Sequence, residues 1–293
     1  MSNSSSKGTA LITGASRGIG AVYADRLAKR GYDLILVARC EAPLQALAAT
    51  LSRSTGRRTS PIVADVNNKQ DLARVEAKLK DDPSITMLVN NAGFASVAPL
   101  LEADIEKMEE MIALNISALT RLTYVAAPAF VKRGAGTIIN IGSVAGISVE
   151  ALNGVYGASK AYGLAFSLSL QHELTSKGIR VQVVLPGRTA IDGWDVAGFP
   201  WQKMSPEIVM PVENMVDAAL VGLDQGELSQ FPAFIMATSG HVLRPYAAVC
   251  CHSLALPSPR PATGSKRECR HNSREMCVPG IQRALAFLMR CSR

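Results

Sequence analysis

Short apolar runs rich in Val, Ile and Leu recur along the chain at 9–12, 34–38, 61–64, 85–89, 137–141 and 180–185. Runs of this length suit strands buried on both faces better than helices. Between them, at about 18–30, 41–54, 69–81, 103–132 and 154–177, apolar residues return every three or four positions. That is the spacing of a helix with one buried face. Such βαβα alternation predicts an α/β fold, a doubly wound parallel sheet of six strands with helices on both faces. A further helix, about 211–225, follows a segment holding Gly193, Trp194, Gly198, Phe199, Pro200 and Trp201. The last strand candidate, Glu227 to Pro232, is short and contains a proline, which cannot donate to a ladder. A seventh strand is therefore expected to be missing. Beyond it the pattern degrades, which predicts one domain over 1–235 and an atypical, poorly ordered tail over 236–293.

Composition sharpens that boundary. The chain has 293 residues and a formal net charge of +7. Residues 250–293 hold eight Lys/Arg and two Glu, so the first 249 residues are nearly neutral. Five of the six cysteines also fall in 250–293, leaving Cys40 alone before them. That usage fits a reducing compartment and predicts a cytoplasmic protein. The tail could be disordered, a lineage-specific appendage or the product of a shifted reading frame. Cys250, Cys251, His252, Cys269, His271 and Cys277 match no regular ligand spacing, so no metal is expected. The basic tail lacks interleaved aromatics and any nucleic-acid module, so no specific nucleic-acid partner is expected. Met1 to Lys7 is polar and lacks the apolar stretch of a secretory signal. No uninterrupted run of 18 apolar residues supports a membrane span; the apolar stretch Phe231 to Pro257 is broken by His241, Arg244 and His252.

Two clusters of residues carry candidate chemistry. The first apolar run leads into Thr13-Gly14-Ala15-Ser16-Arg17-Gly18-Ile19-Gly20 and then a helical pattern. A glycine-rich turn between strand and helix lets backbone N–H groups approach a pyrophosphate, and the helix N-terminus favours its charge. The second cluster is Tyr156 with Lys160, four residues on, and Ser143 upstream. Residues four apart share a helix face, so the Lys160 ammonium is expected under the Tyr156 hydroxyl. A free phenol has a pKa of about 10, and a fixed cation draws it toward neutrality. A tyrosine so poised can exchange a proton while a serine hydroxyl holds a carbonyl oxygen.

The chain resembles the short-chain dehydrogenase/reductase family. The resemblance rests on that glycine octet, Asp65, Asn90-Asn91-Ala92-Gly93, Asn115, Ser143, Tyr156-Gly157-Ala158-Ser159-Lys160 and Pro186-Gly187, in the family's order and spacing. It covers roughly 7–228 and implies a Rossmann-type sheet binding a nicotinamide cofactor. By resemblance, the catalytic residues are Asn115, Ser143, Tyr156 and Lys160. Ser143 would hold the substrate oxygen, Tyr156 would give or take its proton, Lys160 would tune Tyr156 and bind the ribose, and Asn115 would support Lys160 through a water. The cofactor would be held by Gly14, Ser16, Arg17, Gly18, Ile19 and Gly20; by Arg39, Asp65 and Val66; by Asn91, Ala92 and Gly93; by Tyr156 and Lys160; and by Pro186, Gly187 and Thr189, with Ile191 in reach. The segment after Gly187 would cover the substrate.

Cofactor choice is legible at the second strand. NAD sites place an acid at its end to bind both ribose hydroxyls. Here Ala38 stands there, followed by Arg39, and Arg17 adds a second cation. Two guanidinium groups match a 2′-phosphate, which predicts NADP(H). The expected function is interconversion of a small-molecule carbonyl and alcohol by hydride transfer. A 3-oxoacyl thioester reductase and a noncatalytic or impaired NADP-binding protein stay open as alternatives. The resemblance also implies a homodimer or homotetramer built on helices 103–132 and 154–177.

Overall fold

Strand residues of alternate parity feed two different cores, and this places the sheet between two helical layers. The computed structural model describes residues 7–96, 98–147, 154–191 and 209–230. Its strands are β1 (Thr9–Thr13), β2 (Asp33–Ala38), β3 (Thr59–Val63), β4 (Ile85–Asn90), β5 (Gly136–Ile141), β6 (Ile179–Val184) and β7 (Ser229–Gln230). Ala10, Ile12, Leu34 and Leu36 pack into one core, while Leu11, Ile35 and Val37 pack into the other. Side chains alternate across a strand, so a strand buried on both faces is apolar at nearly every position. β1 and β2 are buried throughout.

Among the described residues the strands are flanked by helices α1 (Gly18–Lys29), α2 (Glu41–Thr55), α3 (Lys69–Asp81), α4 (Ile105–Ile112), α5 (Leu119–Arg133), α6 (Gly154–Leu174) and α7 (Val212–Asp224). The sheet order is β3-β2-β1-β4-β5-β6-β7, with every pair parallel. The chain builds outward from β1 to β3 and then returns to place β4 on the other side of β1. Ligands of such sheets bind at that reversal, beyond the strands' C-terminal ends. No helix among the described residues is long and apolar enough to cross a membrane.

Two expectations change. The helix read over 103–132 is three pieces: α4, a π-helical turn at Ala113–Ala118, and α5. The π turn leaves the apolar periodicity nearly intact, so a helical pattern does not reveal it. The seventh strand is present, contrary to expectation. Ser229 and Gln230 pair with Val183 and Val184, and the Val183 N–H reaches the Leu228 carbonyl at 2.9 Å. Two residues suffice for this pairing, and Pro232 falls beyond them in sequence. The expected lid residues Gly193 to Trp201 and the tail 236–293 lie outside the described residues.

α7 is tied back to α1, its neighbour in the fold though distant in the sequence. Arg26 donates to both carboxylate oxygens of Asp217 at 2.7 and 3.2 Å, and Arg30 donates to Asp224 at 2.9 Å. Beneath these exposed pairs, Met215, Val216, Ala219, Leu220 and Leu223 join the core that contains Tyr23 and Leu27. The Tyr23 hydroxyl is fully buried there with no hydrogen-bond partner among the described residues, and burial pushes its pKa up. A buried, unsatisfied hydroxyl costs about 1–3 kcal/mol. Tyr23→Phe is therefore expected to raise the unfolding free energy by about 1 kcal/mol in chemical denaturation; a loss of stability would show that the hydroxyl has a partner.

Candidate active site

The turn after β1 closes only with glycine at several positions. Gly14 and Gly18 have φ of +65° and +56°, values that side chains with a Cβ rarely adopt. A Cβ on Gly20 would collide with the Gly14 carbonyl and the Asn91 amide. α1 then starts at Gly18 with no side-chain cap and no acid in its first turn. An uncapped helix start behind a glycine turn is a fitting cradle for an anionic group. Asn91 braces the turn from the neighbouring strand, donating to the Thr13 and Gly14 carbonyls at 2.8 and 3.1 Å. The Thr13 hydroxyl accepts from the Asn91 and Ala92 backbone N–H groups, both at 3.0 Å.

The turn opens into a cleft lined by Gly14, Ser16, Arg17, Gly18 and Ile19 from this segment. Arg39, Asp65 and Val66 line it at the ends of β2 and β3, and Asn91, Ala92 and Gly93 after β4. Ser143, Tyr156, Lys160, Pro186, Gly187, Thr189 and Ile191 complete the wall. Gly20 and Asn115 stand behind the lining. Arg39 is largely exposed, and its guanidinium lies 4.0 Å from the Asp65 carboxylate. Ala38 lines the cleft beside it, so no acid occupies the β2 end.

Ser143 and Tyr156 meet. Their side chains are hydrogen-bonded, and the Ser143 hydroxyl also accepts the Ala145 N–H at 3.1 Å. Lys160 donates to the Ile141 carbonyl at 3.1 Å, and its nitrogen lies 5.9 Å from the centre of the Tyr156 ring. The expected pull of Lys160 on the phenol does not prevail. Burial raises the Tyr156 pKa, and the Ser143 hydrogen bond only partly opposes it. Burial also lowers Lys160, to about 8. Both shifts follow from moving a charge out of water.

Asn115 acts as a junction. In the π turn its amide accepts the Phe94 N–H at 3.2 Å and donates to the Phe94 carbonyl at 3.0 Å. It also donates to the Ser159 hydroxyl at 3.1 Å, which in turn donates to the Tyr156 carbonyl at 2.8 Å. A direct Asn115–Lys160 bond is absent among the described residues. Phe94 and the Ile141 carbonyl were missed by sequence reasoning, and Thr13 and Ser159, though inside the motifs, were given no role there. Both of the latter carried a signal: Thr13 opens the glycine octet, and Ser159 stands one turn from Tyr156 and beside Lys160. Among the described residues no cluster of three metal-ligating side chains occurs.

The chain is similar to known proteins in sequence and in fold. A family profile described as short chain dehydrogenase matches residues 8–195. A very-long-chain 3-oxoacyl-CoA reductase of Anas platyrhynchos is 36% identical over 203 residues, 68% of this chain and 65% of that protein. The chain thus spans just under two thirds of that relative's length. A short-chain dehydrogenase from Sphingobium yanoikuyae, solved with NADPH, is 46% identical with a TM-score of 0.76, covering 78% of this chain and 88% of that one. A bulky-bulky ketone specific alcohol dehydrogenase from Comamonas testosteroni is 41% identical with a TM-score of 0.73, covering 80% and 89%.

A depressed lysine pKa ties stability to pH. Between about pH 8 and 10.5 the unfolded chain keeps the Lys160 proton while the folded chain releases it. Stability should therefore rise with pH across that window. Denaturation midpoints of wild type and Lys160→Met, measured from pH 7.5 to 10.5, are expected to diverge by this slope; parallel curves would contradict it.

Proposed function

The chain belongs to the short-chain dehydrogenase family, and from that membership we propose an NADP(H)-dependent oxidoreductase that interconverts a carbonyl and an alcohol. The observation that carries this reading is the meeting of Ser143, Tyr156 and Lys160 in a cleft whose β2 end offers Arg39 and no acid. The glycine turn, the uncapped start of α1 and two guanidinium groups suit a dinucleotide bearing a 2′-phosphate. When bound, the reduced nicotinamide supplies a hydride, two electrons and one hydrogen, to the carbonyl carbon.

The protein's own residues do the rest. The Ser143 hydroxyl holds the carbonyl oxygen and stabilises charge that develops on it. Tyr156 gives that oxygen its proton as the C=O π bond becomes C–O–H, and regains one from solvent. The high pKa of Tyr156 keeps the phenol protonated and ready to donate. The Lys160 ammonium offsets the negative charge the phenol acquires on donating, so the cation stabilises the product of proton transfer even though it does not ionise the resting tyrosine. Asn115 and Ser159 hold the helix and the loop after β4 in register with these groups. The presence of Asn115, Ser143, Tyr156 and Lys160 supports an enzyme over a noncatalytic NADP-binding protein. Low cysteine usage before residue 250 supports a reducing, cytoplasmic setting. Exposed Tyr124 and Leu168 on α5 and α6 support self-association through those helices.

Three outcomes test this. Tyr156→Phe should retain NADPH binding and lose carbonyl reduction by at least about a hundredfold; undiminished turnover would remove Tyr156 from the proton step. The reduction rate should fall above about pH 8, where Lys160 loses its charge; a rate flat to pH 10 would contradict that assignment. Arg39→Asp should weaken NADPH by roughly tenfold or more while sparing NADH, measured by nicotinamide fluorescence; equal weakening would sink the phosphate role.

A further inference from the structure

One side of the cleft's catalytic end is apolar. Met108, Met111, Ala145 and Tyr156 form a buried cluster, with Phe94, Ala95, Ala103 and Val155 packed against it. Phe94 and Ala95 also line the cleft. The charged residues that line it elsewhere, Arg17, Arg39 and Asp65, follow β1, β2 and β3. In the sheet order β4 separates all three strands from β5, whose end carries Ser143. Near Ser143, Lys160 is the one charged lining residue among those described, and the Ile141 carbonyl already holds it. Arg188 is exposed between two lining residues but does not itself line the cleft.

The surface outside this apolar wall is acidic. Ala103, which packs on the cluster, sits between Glu102 and Asp104. α4 continues with Glu106, Glu109 and Glu110 against the single cation Lys107, all exposed. None of the five carboxylates forms an ion pair among the described residues. α4 packs against α6, the helix that carries Tyr156. Unpaired like charges beside a site repel an anionic ligand from a distance, and salt screens the effect beyond about 8 Å at physiological strength.

We infer that the substrate is an uncharged ketone with apolar substituents, and that α4 turns away carriers bearing phosphates, such as a coenzyme A thioester. The inference rests on the oxidoreductase reading above and uses the same reduction of carbonyl to carbinol. Phe94, Ala95 and the methionines behind them offer an apolar, adaptable surface to the substituents, and Arg17 and Arg39 at the other end would hold the cofactor's phosphates. A phosphate-bearing carrier meets five carboxylates against the one cation Lys107 on that face.

The test compares three substrates at saturating NADPH with the full-length protein. They are propiophenone, a 3-oxoacyl N-acetylcysteamine thioester, and the coenzyme A thioester of the same acyl group. The expected kcat/KM for the coenzyme A thioester is about tenfold or more below that of its uncharged counterpart at low salt. The gap should narrow in 0.5 M KCl, and in a Glu102→Lys/Glu106→Lys variant that leaves propiophenone turnover unchanged. A coenzyme A thioester reduced as well as, or better than, its uncharged counterpart would overturn the inference and leave the oxidoreductase reading standing. So would reduction of both thioesters without the ketone. Turnover of none of the three would overturn the oxidoreductase reading, and the inference with it.

Discussion

A lysine ammonium buried at the end of a parallel sheet is the constraint around which this cleft is arranged. Burial there favours the neutral amine and draws the Lys160 pKa down. The Ile141 carbonyl accepts one hydrogen bond from it, and burial lowers its pKa only to about 8, so the charge persists near neutrality. Tyr156 and Ser143 are both held relative to this cation. Tyr156 shares its helix, and Ser143 follows the same strand as Ile141. The burial that lowers the lysine's pKa also raises that of the phenol and holds its proton in place.

Such a site needs its strands in fixed register. A buried polar chain supplies it beneath the cleft. Asn90 donates to Thr123 and Asn140 at 3.0 and 2.9 Å, and Asn140 donates to Ser167 at 2.9 Å. The chain links α5, β4, β5 and α6, and Asn90 faces Asn140 in the strand register. Buried polar groups that find partners define one arrangement, because a slip would orphan them. Above this layer Asn115 repeats the same logic, tying the loop after β4 to the helix of Tyr156. The π turn is what lets one amide reach both, and single-turn π insertions are common at functional sites.

Much of this was legible in the sequence because its causes are local. A glycine at positive φ, a strand too short to be a helix, and a Tyr–Lys pair one turn apart each speak through neighbours in the chain. The α/β alternation carried the layers, and the missing acid at Ala38 carried the cofactor preference. What stayed hidden depends on distance. Phe94 and Ser159 matter through Asn115, which lies 21 residues from one and 44 from the other. The α1–α7 ion pairs join residues 191 and 194 apart. The direction of the Tyr156 shift turned on burial, which no spacing reports. β7 escaped because two residues carry no periodicity.

The most direct measurement is isotope transfer by the full-length protein from NADPH deuterated at nicotinamide C4 to an apolar ketone, run separately with each C4 epimer. The account predicts deuterium at the carbinol carbon from one epimer only, and a hydroxyl proton drawn from solvent. It also predicts that Tyr156→Phe gives no labelled alcohol although it binds NADPH. NADPH oxidised without label in the alcohol, or equal labelling by the Tyr156→Phe variant, would contradict the claim that this cleft couples hydride transfer to a buried tyrosine.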